Sequence, residues 1–389
     1  MGGSLGGLTA ALVLRDAGCD VDVYERSEAP LKDRGAGIVL HPATIRYLVE
    51  NSIRTISEIG VPAQCLRYLS QDGVASESPC QFRFTSYYAL YRDLIGCFDP
   101  ARYHLGSEIV GFDPTGRTVE VTLTHGDTMR CDLLVCADGV RSSARARLAP
   151  DVSPRYAGYV GWRGAVADSE LSPETFGVLE DAITYCVIPN SHLLSYPIPA
   201  AEGEGGARAD AMNWVWYRNV AAGDDLAQLL TDRTGVRRSM SVPPGFVQRH
   251  HLAELARTAS EVLPEPLADL ITRTPDSFVQ AVFDIDVPRM AFGRICLIGD
   301  AAFALRPHIA AGTAKAAEDA WRLGEAMAGA TGDVETALRE WEPCQLALGR
   351  SALRRTREAG ERSQFSNDWR VGDPLPFGLY EQGDSSLPP

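Results

Sequence analysis

Gly2-Gly3-Ser4-Leu5-Gly6-Gly7 opens the chain, and residues 8–17 follow with apolar side chains at helical spacing up to Gly18. The first N–H groups of a helix lack a backbone partner and carry partial positive charge. A glycine turn feeding a helix is therefore a site for a diphosphate. A short alternating strand, Val21-Asp22-Val23-Tyr24, comes next and ends in Glu25-Arg26. Glu25 lies 18 residues after Gly7, close to the ~20 at which a dinucleotide-binding unit sets an acid against ribose hydroxyls. Such a unit wants glycine at the first, third and sixth places of its turn, and this chain offers Gly2, Ser4 and Gly7. Ser4 is small enough for that place and would bring its hydroxyl near the phosphate. The letters Gly2-x-Ser4-x-Gly6 also spell a nucleophile elbow, but an elbow follows several strands and an oxyanion loop, so acyl transfer is set aside.

Two further acids end apolar strands. Residues 133–137 read as a buried strand running into Asp138-Gly139 and then Val140-Arg141-Ser142-Ser143. Residues 295–298 read as another, running into Gly299-Asp300-Ala301-Ala302 and through Arg306-Pro307-His308 to a helix expected over about 312–327. In His192-Leu193-Leu194-Ser195-Tyr196, strand periodicity puts His192 and Tyr196 on one face. Lys315 stands in the first turn of the expected helix, where a cation opposes the helix dipole. An anionic ligand or a side chain reaching out to solvent would each account for it.

These residues need a scaffold, and the composition supplies one. The 389 residues are 45% hydrophobic and 23% charged, which describes a folded chain of about two domains rather than a disordered one. A net charge of −14 argues against nucleic acid or an anionic membrane as partner. Nine scattered cysteines without a CxxC, and no ligand spacing for a metal, point to reduced thiols in a cytoplasm. Neither a signal peptide nor an apolar run long enough for a membrane span is visible.

Residues 119–123 and 128–131 read as a hairpin turning at His125-Gly126-Asp127. Aromatic-rich strands are expected at 159–166, 184–188, 193–198 and 213–217, with an exposed loop over 200–210. The nucleotide-binding half is expected at 1–70, 98–155 and 282–362, and a substrate half at 71–97 and 156–281. A polar tail over 363–389 is expected to wrap the surface or fray. A βαβ unit should begin with a buried strand, and none precedes Gly2. Either the start codon is placed late or the central strand is lost, and the intact look of the rest favours the late start.

Taken together, Asp138-Gly139 with its Val-Arg-Ser-Ser continuation and Gly299-Asp300-Ala301-Ala302 with Pro307 resemble the FAD-dependent aromatic hydroxylases, flavoprotein monooxygenases of the p-hydroxybenzoate hydroxylase type. The stretches 20–27, 83–87, Ala157-Gly158-Tyr159-Val160, Trp162-Arg163-Gly164, Tyr196-Pro197-Ile198-Pro199 and 306–312 are similar to a hydroxypyridine-acting subgroup of it. The resemblance implies an α/β (α+β) fold: a Rossmann-like FAD-binding domain interleaved with an antiparallel β-sheet substrate domain. It also implies bound FAD, NAD(P)H as a transient co-substrate, O2, and a small aromatic substrate, and it is compatible with a homodimer. One oxygen atom would pass from a flavin C4a-hydroperoxide to an electron-rich ring, a hydroxypyridine or a phenol.

In that frame Gly2, Ser4, Gly7, Glu25, Arg26, Asp138, Asp300, Pro307, Gly312 and Thr313 are the cofactor residues. Leu90-Tyr91-Arg92-Asp93-Leu94 resembles the family's arginine motif and adds Arg92. A ring hydroxyl with a pKa near ~10 reacts better when ionised, so a base or relay is expected at it. His192, Tyr196 and His308 are the catalytic candidates, with His41 as a further lining residue and Tyr185, Trp216 and Tyr217 as a possible aromatic wall. The pocket residues leave open an epoxidase, a tailoring oxygenase acting on a larger natural product, or a non-catalytic truncated flavoprotein.

Overall fold

The computed structural model describes residues 1–31, 37–199, 209–330 and 333–387. The loop expected over 200–210 falls almost wholly outside the described residues. The strand pattern of the aromatic-rich stretches resolves into one sheet of eight strands. Its order is Ser241–Val242, Phe278–Asp284, Arg155–Ala167, Ala209–Asn219, Ser191–Pro199, Ala182–Ile188, Cys65–Ser70 and Gly73–Pro79. All neighbours are antiparallel except Ala182–Ile188 beside Cys65–Ser70, which run parallel.

Alternation along these strands decides what each face does. Val160, Trp162, Leu193, Trp214, Trp216 and Val279 fall on one face and pack beneath the helices Arg249–Val262 and Glu265–Arg273. Their neighbours in sequence, Tyr159, His192, Leu194, Tyr196, Val215 and Tyr217, fall on the other. The first face is a closed core. The second lines a cavity.

The nucleotide half is built from short parallel pairs. Val23–Tyr24 pairs with Tyr103–His104, and Leu134–Cys136 pairs with Ile295–Leu297. The first residues of the chain lie between them: the Met1 ammonium donates to the Val135 carbonyl (3.0 Å), Ala137 N–H donates to Met1 (2.8 Å), and Gly2 N–H donates to Tyr24 (2.9 Å). The hairpin stands at Thr118–Leu123 and Thr128–Cys131, beside Ile109–Thr115. The first helix, Leu5–Asp16, lies against Gly312–Gly329, and glycines set the approach: a Cβ on Gly324 would overlap Val13.

The expected domain limits shift in two places. Cys65–Ser70, assigned to the nucleotide half, pairs inside the eight-stranded sheet. The helix Tyr87–Ile95, assigned to the substrate half, buries Leu90, Tyr91 and Leu94 against Leu8 and Leu12 of the first helix. The tail is also corrected. Trp369, Leu375, Phe377, Leu379 and Leu387 are buried, so the polar stretch folds inward on a few apolar anchors instead of fraying. No helix among the described residues is long and apolar enough to cross a membrane.

Lys315 faces neither solvent nor a ligand. Its ammonium is buried against the Asp319 carboxylate one helical turn on, at 2.6 and 2.8 Å, and lies 4.9 Å above the Phe303 ring. Asp319 also accepts the Gly299 N–H (2.8 Å), which ties the helix to the turn carrying Asp300. Removing one partner of such a pair strands a buried charge, a loss of about 3–5 kcal/mol, whereas replacing both is far milder. Lys315→Met is therefore expected to lower the urea midpoint sharply, and Lys315→Met/Asp319→Leu to recover most of the loss. Equal midpoints for the single and double variants would refute the pairing.

Candidate functional site

Two connected cavities, of about 750 and 460 Å³, lie between the sheet and the nucleotide half and share Ser4, Tyr87, Arg163, Gln280, Asp300 and Pro307 as walls. The larger begins at the glycine turn. Gly2 has φ +91°, and a Cβ there would overlap the Ala137 carbonyl; a Cβ on Gly7 would overlap the carbonyl of Gly2. Both glycines are needed for the chain to turn this tightly against the 134–136 strand. Ser4 occupies the N-cap of the first helix without capping it, because its hydroxyl is bonded to that of Tyr87 (2.7 Å). The first-turn N–H groups thus remain available to an anion.

Glu25 is buried beside this turn, accepting from Gly3 N–H (2.8 Å) and Ser27 N–H (2.9 Å). Each carboxylate oxygen keeps a lone pair for a ligand hydroxyl. Arg26 is exposed at the rim. Asp138 uses Oδ2 to accept from Ala144 N–H (3.2 Å), while its Oδ1 is buried without a partner. Asp300 shows much of its area, but that area faces the cavity and not bulk water. It behaves as a buried acid: desolvation raises it from 3.8 to about 6, against the opposing pull of Lys315 and Arg145.

The smaller cavity is enclosed by the sheet, the 307–313 loop and the tail. His192, Leu194 and Tyr196 face it from one side of their strand, with Tyr185 and Tyr217 beside them. Trp216 lies on the opposite, core face and donates its indole N–H to Ser191 (2.8 Å), so it forms no part of the wall. The Gln364 amide donates to His192 Nδ1 (3.0 Å), which places the imidazole proton on Nε2. His308 Nε2 lies 2.6 Å from the Tyr159 hydroxyl, and its Nδ1 is buried without a partner. Arg306 is held by two 3.0 Å bonds to Asp284, with its guanidinium 5.8 Å from the centre of the Tyr159 ring. The tautomer of His308 sets which of Nε2 and the Tyr159 hydroxyl donates in their bond.

Tyr196 stacks on Phe84 at 4.3 Å, and burial raises its phenol, with Arg163 opposing. Pro307 lines both cavities. Ala310, at φ +54°, turns the chain into Gly312–Gly329, and the opening residues Gly312 and Thr313 line the smaller cavity. His41 lies under this loop rather than in the cavity wall, with Nε2 3.0 Å from the Ala310 carbonyl.

Arg92 lines neither cavity. Its guanidinium pairs with Asp93 (3.1 Å), and the side chain of that helix that reaches both cavities is Tyr87. Arg163, Gln280, Tyr159, Gln364, Trp369 and Phe377 also belong to the site and its support, and sequence reasoning gave none of them a role. Arg163 carried a signal, since it is a charge on the inward phase of an aromatic strand.

Three imidazoles are held neutral by burial. His41 falls from 6.5 to about 4, His192 to about 3, and His308 well below 6.5. The unfolded chain binds these protons first, so each adds a stability loss of about 1.4 kcal/mol per pH unit once the pH falls below the unfolded value. Asp300 acts in the opposite sense between about 6 and 4, since the fold holds its proton more tightly. Three groups outweigh one. The urea midpoint is expected to drop steeply between pH 7 and 5, and a flat midpoint over that range would contradict the buried neutral assignment.

Residues 1–192 match the FAD binding domain family, and residues 156–284 match one described as FAD binding domain-like. The chain is 38% identical to a 2,6-dihydroxypyridine 3-monooxygenase of Paenarthrobacter nicotinovorans, over 100% of this chain and 96% of that one. It is 30% identical to a 3-amino-4-hydroxybenzoate 2-monooxygenase of Streptomyces platensis, over 92% and 86%. The solved 2,6-dihydroxypyridine-3-hydroxylase from Arthrobacter nicotinovorans superposes with a TM-score of 0.92 at 38% identity, covering 98% of this chain and 96% of that one. Klebsiella pneumoniae HpxO, complexed with FAD and uric acid, shares the fold at a TM-score of 0.77 and 24% identity, covering 94% and 88%. The glycine turn, the acids with lone pairs free for hydroxyls and the unpartnered Asp138 Oδ1 suit an extended dinucleotide, and the chain belongs to the FAD-dependent aromatic hydroxylases.

Proposed function

We propose that the chain hydroxylates a single electron-rich aromatic ring that already bears a hydroxyl, a hydroxypyridine or a phenol, consuming NAD(P)H and O2. The observation that carries this reading is the 460 Å³ cavity, walled by aromatic rings and two neutral imidazoles, opening directly into the cofactor cavity. A volume near the lower end of ligand pockets suits one ring better than a large natural product. The nine cysteines are all free thiols, which agrees with a cytoplasmic setting.

The first-turn N–H groups beside Ser4 would hold the FAD diphosphate, and Glu25 the adenosine ribose. Asp138 and Asp300 would accept the remaining hydroxyls. The start of the Gly312–Gly329 helix would face the flavin ring with its positive end. Bound FAD, reduced by NAD(P)H, supplies the activated oxygen. The chain itself orients the ring and keeps water away: Tyr185, Tyr217 and Trp369 enclose it. The Nε2–H of His192 offers it a donor, and His308 stands beside it, tied to Tyr159. The donor stabilises an ionised ring oxygen without the imidazole having to take a proton.

Addition of 2,6-dihydroxypyridine to the FAD-loaded protein is expected to accelerate NADH or NADPH oxidation and to give a product heavier by one oxygen atom, derived from labelled O2. His308→Gln should lower turnover on the order of a hundredfold while leaving the FAD affinity within twofold. Failure of every hydroxypyridine and phenol to stimulate reductant oxidation would overturn the reading.

A further inference from the structure

Arg163 stands where the two cavities meet, on the cavity face of the Arg155–Ala167 strand. Its Nε is buried without a hydrogen bond, and its guanidinium forms no ion pair with any described residue. Three other arginines near the site are matched: Arg306 and Arg357 share Asp284, and Arg238 holds Asp232. The acid at the junction, Asp300, is coupled to Lys315 and Arg145 instead. The titratable groups whose charge Arg163 feels are the phenols of Tyr196 and Tyr217, both raised by burial and therefore neutral. A partly buried guanidinium with an unpartnered Nε and no counter-charge among the described residues is costly.

The smaller cavity holds a second donor. His192 Nε2 carries the imidazole proton, by the tautomer that the Gln364 amide imposes. Among the described residues that line it, the cavity thus holds one unmatched positive charge and one carboxylate, Asp300 at the junction. We infer that Arg163 binds an oxyanion of the substrate, so that the ring is taken up or held in its ionised form. This rests on the proposed aromatic substrate and adds its charge state and the residue that selects it. Arg163 supplies the counter-charge, and the His192 Nε2–H adds a donor to the ionised oxygen.

The test uses the FAD-loaded protein without reductant and 4-nitrophenol as probe, since its ionised and neutral forms differ in colour. Difference spectra across the pH range are expected to show the bound probe ionised at pH values where the free probe is still neutral. Arg163→Met should weaken binding of the ionised probe on the order of ten- to a hundredfold and return the bound spectrum to the neutral form. Arg163→Lys should restore part of both, and the FAD affinity of all three proteins should agree within twofold. A wild-type protein that binds the probe neutral overturns the inference and leaves the ring site standing. So does an Arg163→Met protein that binds the ionised probe as tightly as wild type, or one that loses FAD. A wild-type protein that binds neither form, and whose reductant oxidation no hydroxylated ring stimulates, overturns both.

Discussion

The buried pair between Lys315 and Asp319 fixes the geometry on which both cavities depend. One oxygen of Asp319 holds the Gly299 N–H, so the carboxylate joins the Gly312–Gly329 helix to the turn that presents Asp300. The Trp341 indole donates to the Asp319 carbonyl and adds the C-terminal helix to the same knot. A lysine in the first turn works against the helix dipole, and here the local acid offsets that penalty within one turn. The start of the helix is left facing the smaller cavity, while Asp300 faces the junction. Without this knot, neither the acid nor the helix end would have a fixed direction.

The eight-stranded sheet supplies the opposite wall, and its period of two does the sorting. Each strand sends one set of side chains into a core of tryptophans and leucines and the alternate set toward the ligand. This explains why His192 and Tyr196 act from the same strand while Leu193 between them is buried core. It also explains why Arg163 is exceptional. Trp162 and Gly164 on either side are absorbed by packing, and the guanidinium is left alone on the other face.

Features set by local periodicity were legible in the sequence: the glycine turn, Glu25 at the end of its strand, the hairpin, and the common face of His192 and Tyr196. Features set by distant pairing were not. Cys65–Ser70 joins the sheet through a parallel partner more than a hundred residues away, which no local pattern announces. Arg92 resembled a motif, but helix phase turns it toward Asp93 and gives Tyr87 the inward position. The tail reads as polar because Trp369 and Phe377 are sparse, yet each fills a cavity wall. Lys315 stands out in the sequence for its place in the helix, but the partner that accounts for it depends on burial, which composition does not report.

The two cavities meet at Asp300 and Arg163, which line both. At the nucleotide end Glu25 and Asp138 add acceptors, which suits sugar and ribityl hydroxyls; at the ring end His192 adds a donor. Neutrality of the imidazoles is what keeps the ring end from accumulating charge. Two imidazolium ions 5.3 Å apart, beside a guanidinium, would repel one another in a dry cavity. Burial removes that possibility by pushing both histidines down, so among the described residues of the smaller cavity the positive charge that remains is Arg163, which cannot be titrated away. In the proposed reading the site needs no general base of its own, because the ring leaves its proton with bulk water before it binds and the fixed charge of Arg163 then holds the anion.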